Sequence, residues 1–338
     1  VVPIYQSTTF KYESSDEMGR LFDLEASGYF YTRLQNPTND TVAAKIAALE
    51  GGVAALLTAS GQTASFYAIL NLCSAGDHVV CASEIYGGTF NLFAVTMKRM
   101  QIDFTFVDQD APEEEIDRAF RPNTKAVFGE TIANPACAVL DIEKFARIAH
   151  RHGVPLIVDN TFATPINCRP FEWGADIVVH SATKFLGGHG SSVMGCIVDS
   201  GSFDYASQPE RFPRFNEPDP SYNGLVYARD LGVGSELGNM AFILKAHTEG
   251  QRDLGFAVSP LNAFLVAQGI ETLSLRMERH VDNALAVARW LTGRPEVASV
   301  RYSGLPDSPY YELHRKYCPR GAGSILTFDL PGGREAGG

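Results

Sequence analysis

The lysine in the segment HSATKFLGGHG occupies a position where a chain could hold a reactive amine. Lys184 follows the apolar run ADIVVHS, which is typical of a buried strand, and precedes Gly187, Gly188 and Gly190. A lysine at a strand end is either an ordinary surface charge or an amine that forms a Schiff base with a carbonyl. The glycines allow close backbone approach and rearrangement because they have no Cβ. Other residues of the chain decide between these two interpretations.

Further polar residues follow predicted strands or begin predicted helices. Asp159 ends the run PLIVDN, where an acid often caps the next turn. Ser60, Gly61 and Gln62 precede a helix, whose N-terminal N–H groups and dipole favour an anion; a plain N-cap is the alternative. Each of the other candidates, taken alone, could be an ordinary strand-end, core or surface residue. These candidates are Tyr31, Arg33, Tyr86, Asn134, Ser181 and Thr183.

Together these residues form the set that pyridoxal 5'-phosphate requires. A lysine forms the Schiff base with its aldehyde, and an acid keeps the pyridine nitrogen protonated so that the ring accepts electrons from a carbanion. Hydroxyls, N–H groups and an arginine bind the phosphate, and an aromatic side chain stacks on the ring. Asp159 and Lys184 lie one strand–helix–strand step apart, which suits neighbouring strand ends.

Short apolar runs alternate with helical stretches from about residue 40. The runs are VAALLTASG, HVVCAS, DFTFVD, KAVFGE, PLIVDN and ADIVVHS, with SILTFDL near the end. Apolar strands separated by helices predict an α/β fold with a mostly parallel sheet that helices cover on both faces. Ligands bind at the carboxyl ends of the strands in such sheets. Most of the candidate residues follow these strands.

The chain divides into three predicted regions. Residues 1–35 lack the alternation, are rich in aromatic residues and predict an arm that contacts a neighbouring subunit. Residues 36–256 predict the cofactor-binding domain, which includes a proline-rich loop at 207–224. Residues 257–338 predict a smaller C-terminal α+β domain, which we expect to be incomplete.

Composition argues against several other classes of protein. A net charge of −11 opposes nucleic-acid binding, which needs a basic patch. No apolar run has the length of a membrane span, and no G-x-G-x-x-G or P-loop motif is present. The six cysteines include no C-x-x-C pair, which favours a reducing, cytoplasmic location. His180 and His189 flank the lysine without a third ligand at usable spacing, so we expect no metal site.

Five motifs resemble those of the cysteine and methionine metabolism family of pyridoxal-phosphate enzymes. They are YTRLQNPT, TASGQTA, YGGT, VDNTFATP and HSATKFLGGHG, in the family's order, and the resemblance covers essentially the whole chain. It implies a fold-type I PLP-dependent transferase architecture, like that of aspartate aminotransferase, and pyridoxal 5'-phosphate as cofactor. It also implies a homodimer as the minimum active unit and a homotetramer of two such dimers.

The resemblance implies a role for each candidate residue. Lys184 would hold the cofactor, Asp159 would pair with the pyridine nitrogen, and Tyr86 would stack on the ring and assist the leaving group. Asn134 would lie beside the ring oxygen and the substrate. The remaining cofactor-binding residues would be Ser60, Gly61, Gln62, Ser181 and Thr183, together with Tyr31 and Arg33 from a neighbouring subunit.

Within the family, two segments look like those of O-acetylhomoserine sulfhydrylases. They are FNEPDPSYNGLVYARDLGVGSELGNMAFILKA and AVSPLNAFLVAQGIETLSLRMERH. This resemblance implies γ-replacement, in which O-acetyl-L-homoserine and sulfide give L-homocysteine and acetate. Methionine γ-lyases typically carry a cysteine after YG, where this chain has Gly88. The alternatives are cystathionine synthesis, γ-elimination and a non-catalytic paralogue.

Several properties stay open at this point. The residues do not distinguish an acetyl from a succinyl ester, or sulfide from methanethiol, cysteine or a carrier protein as sulfur donor. The family holds the substrate carboxylate with an arginine late in the C-terminal domain. No matching motif occurs in this sequence, and Arg334 lies too early to be that residue.

Overall fold

The computed structural model describes residues 2–22, 26 and 28–333. The chain forms two compact units. Unit 1 contains residues 1–74 and 176–270, and unit 2 contains residues 75–175 and 271–338. The predicted division into arm, cofactor domain and C-terminal domain at residues 35 and 256 stays a prediction. Arg334 lies outside the described residues.

The helices and strands follow in chain order. The α-helices are α1 Ser15–Phe22, α2 Pro37–Glu50, α3 Gly61–Leu70, α4 Gly87–Asn91, α5 Glu113–Asp117, α6 Ile142–Arg151, α7 Thr164–Asn167, α8 Pro213–Asn216, α9 Tyr227–Asp230, α10 Ala241–Lys245, α11 Pro260–Ile270, α12 Leu273–Thr292 and α13 Tyr311–Tyr317. The β-strands are β1 Ala54–Thr58, β2 His78–Ala82, β3 Asp103–Val107, β4 Thr124–Glu130, β5 Leu156–Asp159, β6 Ile177–Ser181, β7 Gly195–Asp199, β8 Ser299–Arg301 and β9 Thr327–Asp329.

The strands of unit 2 confirm the predicted parallel pairing. They lie in the order β5-β4-β2-β3, and each neighbouring pair is parallel. Every residue of β2 and β4 is buried, as expected for strands that helices cover on both faces. Helix α6 connects β4 to β5 and packs against both strands. The carboxyl ends of β4 and β5 therefore lie side by side, with Glu130 opposite Asp159.

The strands of unit 1 include one that the sequence analysis missed. They lie in the order β1-β7-β6, and β7 is antiparallel to both of its neighbours. No helix separates β6 from β7, so the alternation of strand and helix that reveals the other strands is absent here. Gly195 begins β7, and a Cβ at this position would lie 2.1 Å from the Ser60 carbonyl oxygen. The close contact holds β7 against the start of α3.

Several predicted helices are confirmed with altered boundaries. Asn36 caps α2 by accepting a hydrogen bond from the Thr38 N–H at 3.0 Å, Pro37 occupies the first turn, and Gly51 ends the helix at a φ of 81°. Residues 87–100 form α4 followed by π-helical Leu92–Thr96 and 3₁₀-helical Met97–Met100. The long amphipathic pattern after residue 260 forms two helices, α11 and α12.

A small apolar cluster packs β8 against α12 in unit 2, and β9 pairs antiparallel with β8. The buried members of the cluster are Ala284, Ala288, Tyr302, Leu305 and Ala322. The Tyr302 hydroxyl also donates a hydrogen bond to the Gly323 carbonyl at 2.8 Å, which satisfies its buried oxygen. Among the residues that the structure describes, no helix combines the length and apolar character needed to cross a membrane.

Candidate active site

The lysine lies in a tight turn directly after β6 in unit 1. The Lys184 N–H donates a hydrogen bond to the Ser181 carbonyl at 3.1 Å, and the Lys184 carbonyl accepts one from the Gly188 N–H at 2.7 Å. The Lys184 residue is exposed, so its amine is accessible within this chain. Gly188 and Gly190 have φ values of 71° and 66°, in the left-handed region that favours glycine. These two glycines are therefore required by the path of the turn.

Helix α11 packs directly against the backbone of this turn. A Cβ at Gly269 would lie 1.9 Å from the Gly187 carbonyl oxygen, and a Cβ at Gly187 would lie 3.0 Å from the Ala182 carbonyl oxygen. The Gly187 N–H also donates to the Ala182 carbonyl at 2.8 Å. The turn that carries Lys184 is thus fixed by main-chain hydrogen bonds and by close contact between glycine backbones.

The start of α3 forms the candidate anion site. Ser60 is the N-cap residue, and its hydroxyl accepts a hydrogen bond from the Thr63 N–H at 3.1 Å. The first turn of a helix presents N–H groups that no carbonyl of the helix satisfies, and the dipole adds positive potential. Gly61 touches the end of β6, since a Cβ there would lie 2.4 Å from the Ser181 Cβ. The structure therefore brings Ser60, Gly61, Gln62 and Ser181 together.

Thr183 has a structural partner that the sequence did not reveal. Its hydroxyl donates to the Met194 carbonyl at 3.2 Å and accepts from the Met194 N–H at 3.1 Å. The hydroxyl hydrogen is therefore used in tying the lysine turn to the residue before β7. A hydrogen bond from Thr183 to a phosphate would require that the bond to the Met194 carbonyl be exchanged.

Asp159 and Tyr86 belong to unit 2. Asp159 ends β5, and its Oδ1 atom accepts hydrogen bonds from the N–H and the hydroxyl of Thr161, at 3.0 and 2.5 Å. These two bonds stabilise the charged form of the carboxylate. The exposed Tyr86 precedes α4, and its ring lies over Gly88. A Cβ at Gly88 would lie 2.4 Å from the Tyr86 Cε1 atom, so the glycine permits this ring position.

Glu130 links these residues and was missed by the sequence analysis. The Glu130 side chain is buried at the end of β4, and its Oε2 atom accepts a hydrogen bond from the Tyr86 N–H at 2.7 Å. The Asn134 backbone N–H donates to the same carboxyl. Burial, and then the nearby Asp159 carboxylate, raise the pKa of Glu130 well above its usual range. In the sequence this residue looks like an ordinary strand-end glutamate, and only the position of β5 and the burial distinguish it.

Tyr31 and Arg33 lie in the chain segment before α2. The Arg33 guanidinium lies 5.2 Å from the centre of the Tyr31 ring and donates a hydrogen bond to the Arg252 carbonyl. Both residues line a cavity of about 430 Å³ that Ser259 and Pro260 also line. Within the described part of this chain, neither residue forms a hydrogen bond or an ion pair with the Lys184 turn.

The two histidines beside the lysine have partners within unit 1. His180 Nε2 lies 2.5 Å from Glu50 Oε1, and both side chains are fully buried. His189 Nδ1 lies 2.7 Å from the Gly187 carbonyl oxygen. Across the described ranges, no group of three or more His, Cys, Asp or Glu side chains has an arrangement that could hold a metal ion.

Residues 1–337 match the family model for Cys/Met metabolism PLP-dependent enzymes. The chain belongs to this family. It is 48% identical to the homocysteine/cysteine synthase of Saccharomyces cerevisiae, covering 98% of this chain and 74% of the yeast protein. It is also 48% identical to the O-acetyl-L-homoserine sulfhydrylase of Leptospira meyeri, covering 99% of this chain and 76% of that protein.

A solved structure with the same fold contains the cofactor bound to lysine. A Campylobacter jejuni protein assigned as an O-acetylhomoserine (thiol)-lyase superposes with a TM-score of 0.92 and is 37% identical. The match covers 97% of this chain and 80% of that one. That protein carries a pyridoxyl-lysine monophosphate. The match confirms the predicted fold-type I architecture.

The residues of this chain fit pyridoxal 5'-phosphate. In unit 1, an accessible lysine lies three residues after Ser181, which contacts the glycine that opens α3. In unit 2, a hydrogen-bonded carboxylate ends β5, and an exposed tyrosine ring lies beside a glycine. These groups supply an amine, an anion site, an acid and an aromatic face, which are the parts that the cofactor needs. Pyridoxal 5'-phosphate is the cofactor of this enzyme family.

Proposed function

We propose that the protein converts O-acetyl-L-homoserine and sulfide into L-homocysteine and acetate. The substrate's Cγ–O bond breaks, acetate leaves, and a Cγ–S bond forms. The observation that carries this proposal is the 48% identity to an O-acetyl-L-homoserine sulfhydrylase over 99% of the chain. Relatives from Corynebacterium glutamicum and Thermus thermophilus with the same assigned activity, at 47% and 45% identity, support it.

The cofactor supplies an electron-accepting ring that stabilises negative charge at the substrate's Cα and Cβ atoms. Lys184 binds the cofactor through Nζ and moves the proton at the substrate Cα. Asp159 holds a proton on the pyridine nitrogen, and the two hydrogen bonds from Thr161 keep its carboxylate oriented and charged. Tyr86 stacks on the ring and assists the departure of acetate.

The start of α3 would hold the phosphate of the cofactor. The helix N-terminus attracts the dianion, and the Gly61–Ser181 contact brings the strand end close to that terminus. The Ser181 and Thr183 hydroxyls would complete the phosphate site. Asn134 would lie beside the ring oxygen of the cofactor. Thr183 takes part by exchanging its bond to Met194.

Tyr31 and Arg33 complete the phosphate site of a neighbouring subunit, which makes a homodimer the minimum active unit and a homotetramer its expected assembly. The arm at residues 1–35 would then be an intersubunit element. In this chain the Arg33 guanidinium is bonded to the Arg252 carbonyl, so dimerisation would exchange that bond for phosphate. The predicted cytoplasmic location is supported by six cysteines that form no disulfide bond.

The decisive experiment supplies the full-length protein with pyridoxal 5'-phosphate and O-acetyl-L-homoserine, with and without sulfide. Homocysteine and 2-oxobutyrate are then quantified. We expect homocysteine only when sulfide is present. Formation of 2-oxobutyrate at a comparable rate without sulfide would overturn the proposal in favour of γ-elimination. Cystathionine formation with added cysteine at a higher rate than homocysteine formation would assign the protein to cystathionine synthesis.

A further inference from the structure

Glu130 is a buried carboxyl group that none of the roles above uses. It ends β4, is only 2% exposed and lies opposite Asp159 in the parallel pairing of β4 with β5. A carboxyl group removed from water is costly unless it is neutral or compensated by charge and hydrogen bonds. Its position beside the predicted partner of the pyridine nitrogen therefore requires an explanation.

The hydrogen bonds of Glu130 reach two separate loops of unit 2. Its Oε2 atom accepts the Tyr86 N–H at 2.7 Å, which fixes the backbone at the residue proposed to stack on the cofactor ring. The Asn134 N–H donates to the same carboxyl, in the loop that follows β4. One side chain thus joins the strand end beside Asp159 to the backbones of Tyr86 and Asn134. Asp159, Tyr86 and Asn134 are the three residues proposed to contact the cofactor ring.

The charge around Glu130 favours its neutral form. The titratable groups that face it in the described part of unit 2 are Asp159 from β5 and Cys81 from β2. Two adjacent carboxylates in a buried site cannot both ionise without a large penalty. Asp159 accepts two hydrogen bonds that favour its charged form. Glu130 also accepts two N–H bonds that lower its pKa, but burial and the Asp159 carboxylate outweigh them and raise that pKa well above the usual range.

We infer that Glu130 is a positioning residue that acts as a neutral carboxylic acid, orienting Tyr86 and Asn134 while leaving the negative charge to Asp159. This inference rests on the proposed function of those three residues. The carboxyl acts through its acceptor oxygen and its shape, and its own charge plays no part. An amide of the same shape can therefore replace it, but a shorter acid or an apolar side chain cannot.

The test compares Glu130→Gln with Glu130→Asp and Glu130→Leu in the cofactor-loaded, full-length protein. Glutamine keeps an acceptor oxygen at the same reach and is always neutral. Aspartate is one methylene shorter and cannot reach the Tyr86 N–H, and leucine has no acceptor. Asp199→Asn is the matched control, because it neutralises another buried carboxyl on β7.

Three measurements separate positioning from stability alone. They are the cofactor dissociation constant, the visible circular dichroism of the bound cofactor, which reports the orientation of its ring, and kcat with KM. We expect Glu130→Gln and Asp199→Asn to stay within about threefold of the parent in all constants. We expect Glu130→Asp and Glu130→Leu to lose at least half of the dichroic signal and about tenfold in kcat, with a smaller change in KM.

Two outcomes would overturn the inference. If Glu130→Gln loses the dichroic signal as fully as Glu130→Asp, the charge of Glu130 is needed. The inference that Glu130 acts as a neutral acid is then wrong. If Glu130→Asp keeps the parental spectrum and kcat, Glu130 positions nothing. Dissociation constants and dichroism do not require turnover, so they still decide the question if the parent makes no homocysteine. Glu130→Asp remains informative even if the leucine variant fails to fold.

Discussion

The lysine turn of unit 1 and the tyrosine–aspartate region of unit 2 are held in place by different forces. Around Lys184, main-chain hydrogen bonds and glycine contacts set the geometry, with Gly61 against Ser181 and Gly269 against Gly187. Around Tyr86, a buried carboxyl and two loop N–H groups set it. The first region is fixed mainly by contacts and hydrogen bonds of the backbone, and the second mainly by the hydrogen bonds of a buried side chain.

This difference matches what each region must do. A residue that forms and breaks a covalent bond with a cofactor needs a side chain that moves on a fixed backbone. Close glycine packing and main-chain hydrogen bonds fix that backbone here. A stacking ring needs a fixed orientation, which the hydrogen bond from the Tyr86 N–H to Glu130 provides. A charged acid needs a fixed charge, which the two hydrogen bonds from Thr161 to Asp159 provide. Substitutions should therefore fail through steric clash in unit 1 and through loss of an acceptor in unit 2.

The largest expected effect is that of Lys184→Ala. Because it removes both the covalent attachment and the proton-transferring amine, we expect turnover to fall by roughly 10³-fold or more. Borohydride reduction followed by peptide mass spectrometry should find the reduced cofactor on Lys184 in the parent and on no residue in the variant. Lys98→Ala, at another exposed lysine, is the control. Full turnover in Lys184→Ala would contradict the assignment.

Gly61→Ala tests the steric side of the comparison. The added Cβ would lie 2.4 Å from the Ser181 Cβ and 2.6 Å from its Cα, so the start of α3 must shift. We expect the cofactor dissociation constant to rise by about 10²-fold, as a displacement of about 1 Å at a binding site can cause. Fluorescence titration of the apo-protein measures it.

The control for Gly61→Ala is Gly293→Ala, at the end of α12. Its φ is −88°, and the nearest atom to an added Cβ is the Trp290 carbonyl oxygen at 3.6 Å, an ordinary contact. We expect unchanged cofactor binding in this variant. A Gly61→Ala protein that binds the cofactor like the parent would show that the tight contact does not shape the anion site.

Gly88→Ala asks whether unit 2 also depends on steric fit. The new Cβ would lie 2.4 Å from Tyr86 Cε1, so the ring must turn aside while its hydroxyl is kept. Because the Tyr86 hydroxyl is displaced and not removed, we expect kcat to fall about tenfold. This decrease is smaller than the ~10²- to 10⁴-fold decrease caused by loss of an acid–base residue. Gly87→Ala, which has open space around its Cβ, should behave like the parent. Equal kcat values for Gly88→Ala and Gly87→Ala would show that the position of Tyr86 depends on polar bonds and not on steric fit.

For Asp199 we expect an effect on stability and none on activity. Burial raises the pKa of this β7 carboxyl from 3.8 to about 7, so the folded state holds its proton more tightly than the unfolded state does. Its contribution is therefore fully present below pH 4 and is lost as the pH rises towards 7, by about 4 kcal/mol at most. Denaturant unfolding between pH 4 and 8 should show this slope in the parent and a flatter profile in Asp199→Asn. Identical profiles in the parent and in Asp199→Asn would show that Asp199 does not cause this pH dependence.

The sequence predicted those parts of the molecule that depend on local pattern. The runs that contain β2 to β6 are apolar and flanked by turn residues, and Lys184 and Asp159 lie at strand ends as predicted. Gly51, which ends α2 in the left-handed conformation, was also readable from its residue type. These features depend on neighbours in the chain, which a sequence pattern records.

The parts that were missed depend on residues distant in the chain. Strand β7 has no preceding helix to mark it, and its identity follows from pairing with β1 and β6. The neutral state of Glu130 arises from burial and from Asp159 on the next strand. The Thr183 hydroxyl donates its hydrogen bond to the carbonyl of Met194, eleven residues away. None of these contacts produces a periodicity or a residue spacing that can be recognised in the sequence alone.

The burial of all six cysteines has a practical consequence for a protein proposed to handle sulfide. Persulfides and mixed disulfides form on accessible thiolates, so the chain's own sulfur atoms are shielded from its substrate and from oxidised forms of it. The same shielding means that a cysteine introduced at an exposed position, such as Glu114→Cys, should react first with a maleimide dye. Site-specific fluorescent labelling should therefore be possible without removing any native cysteine.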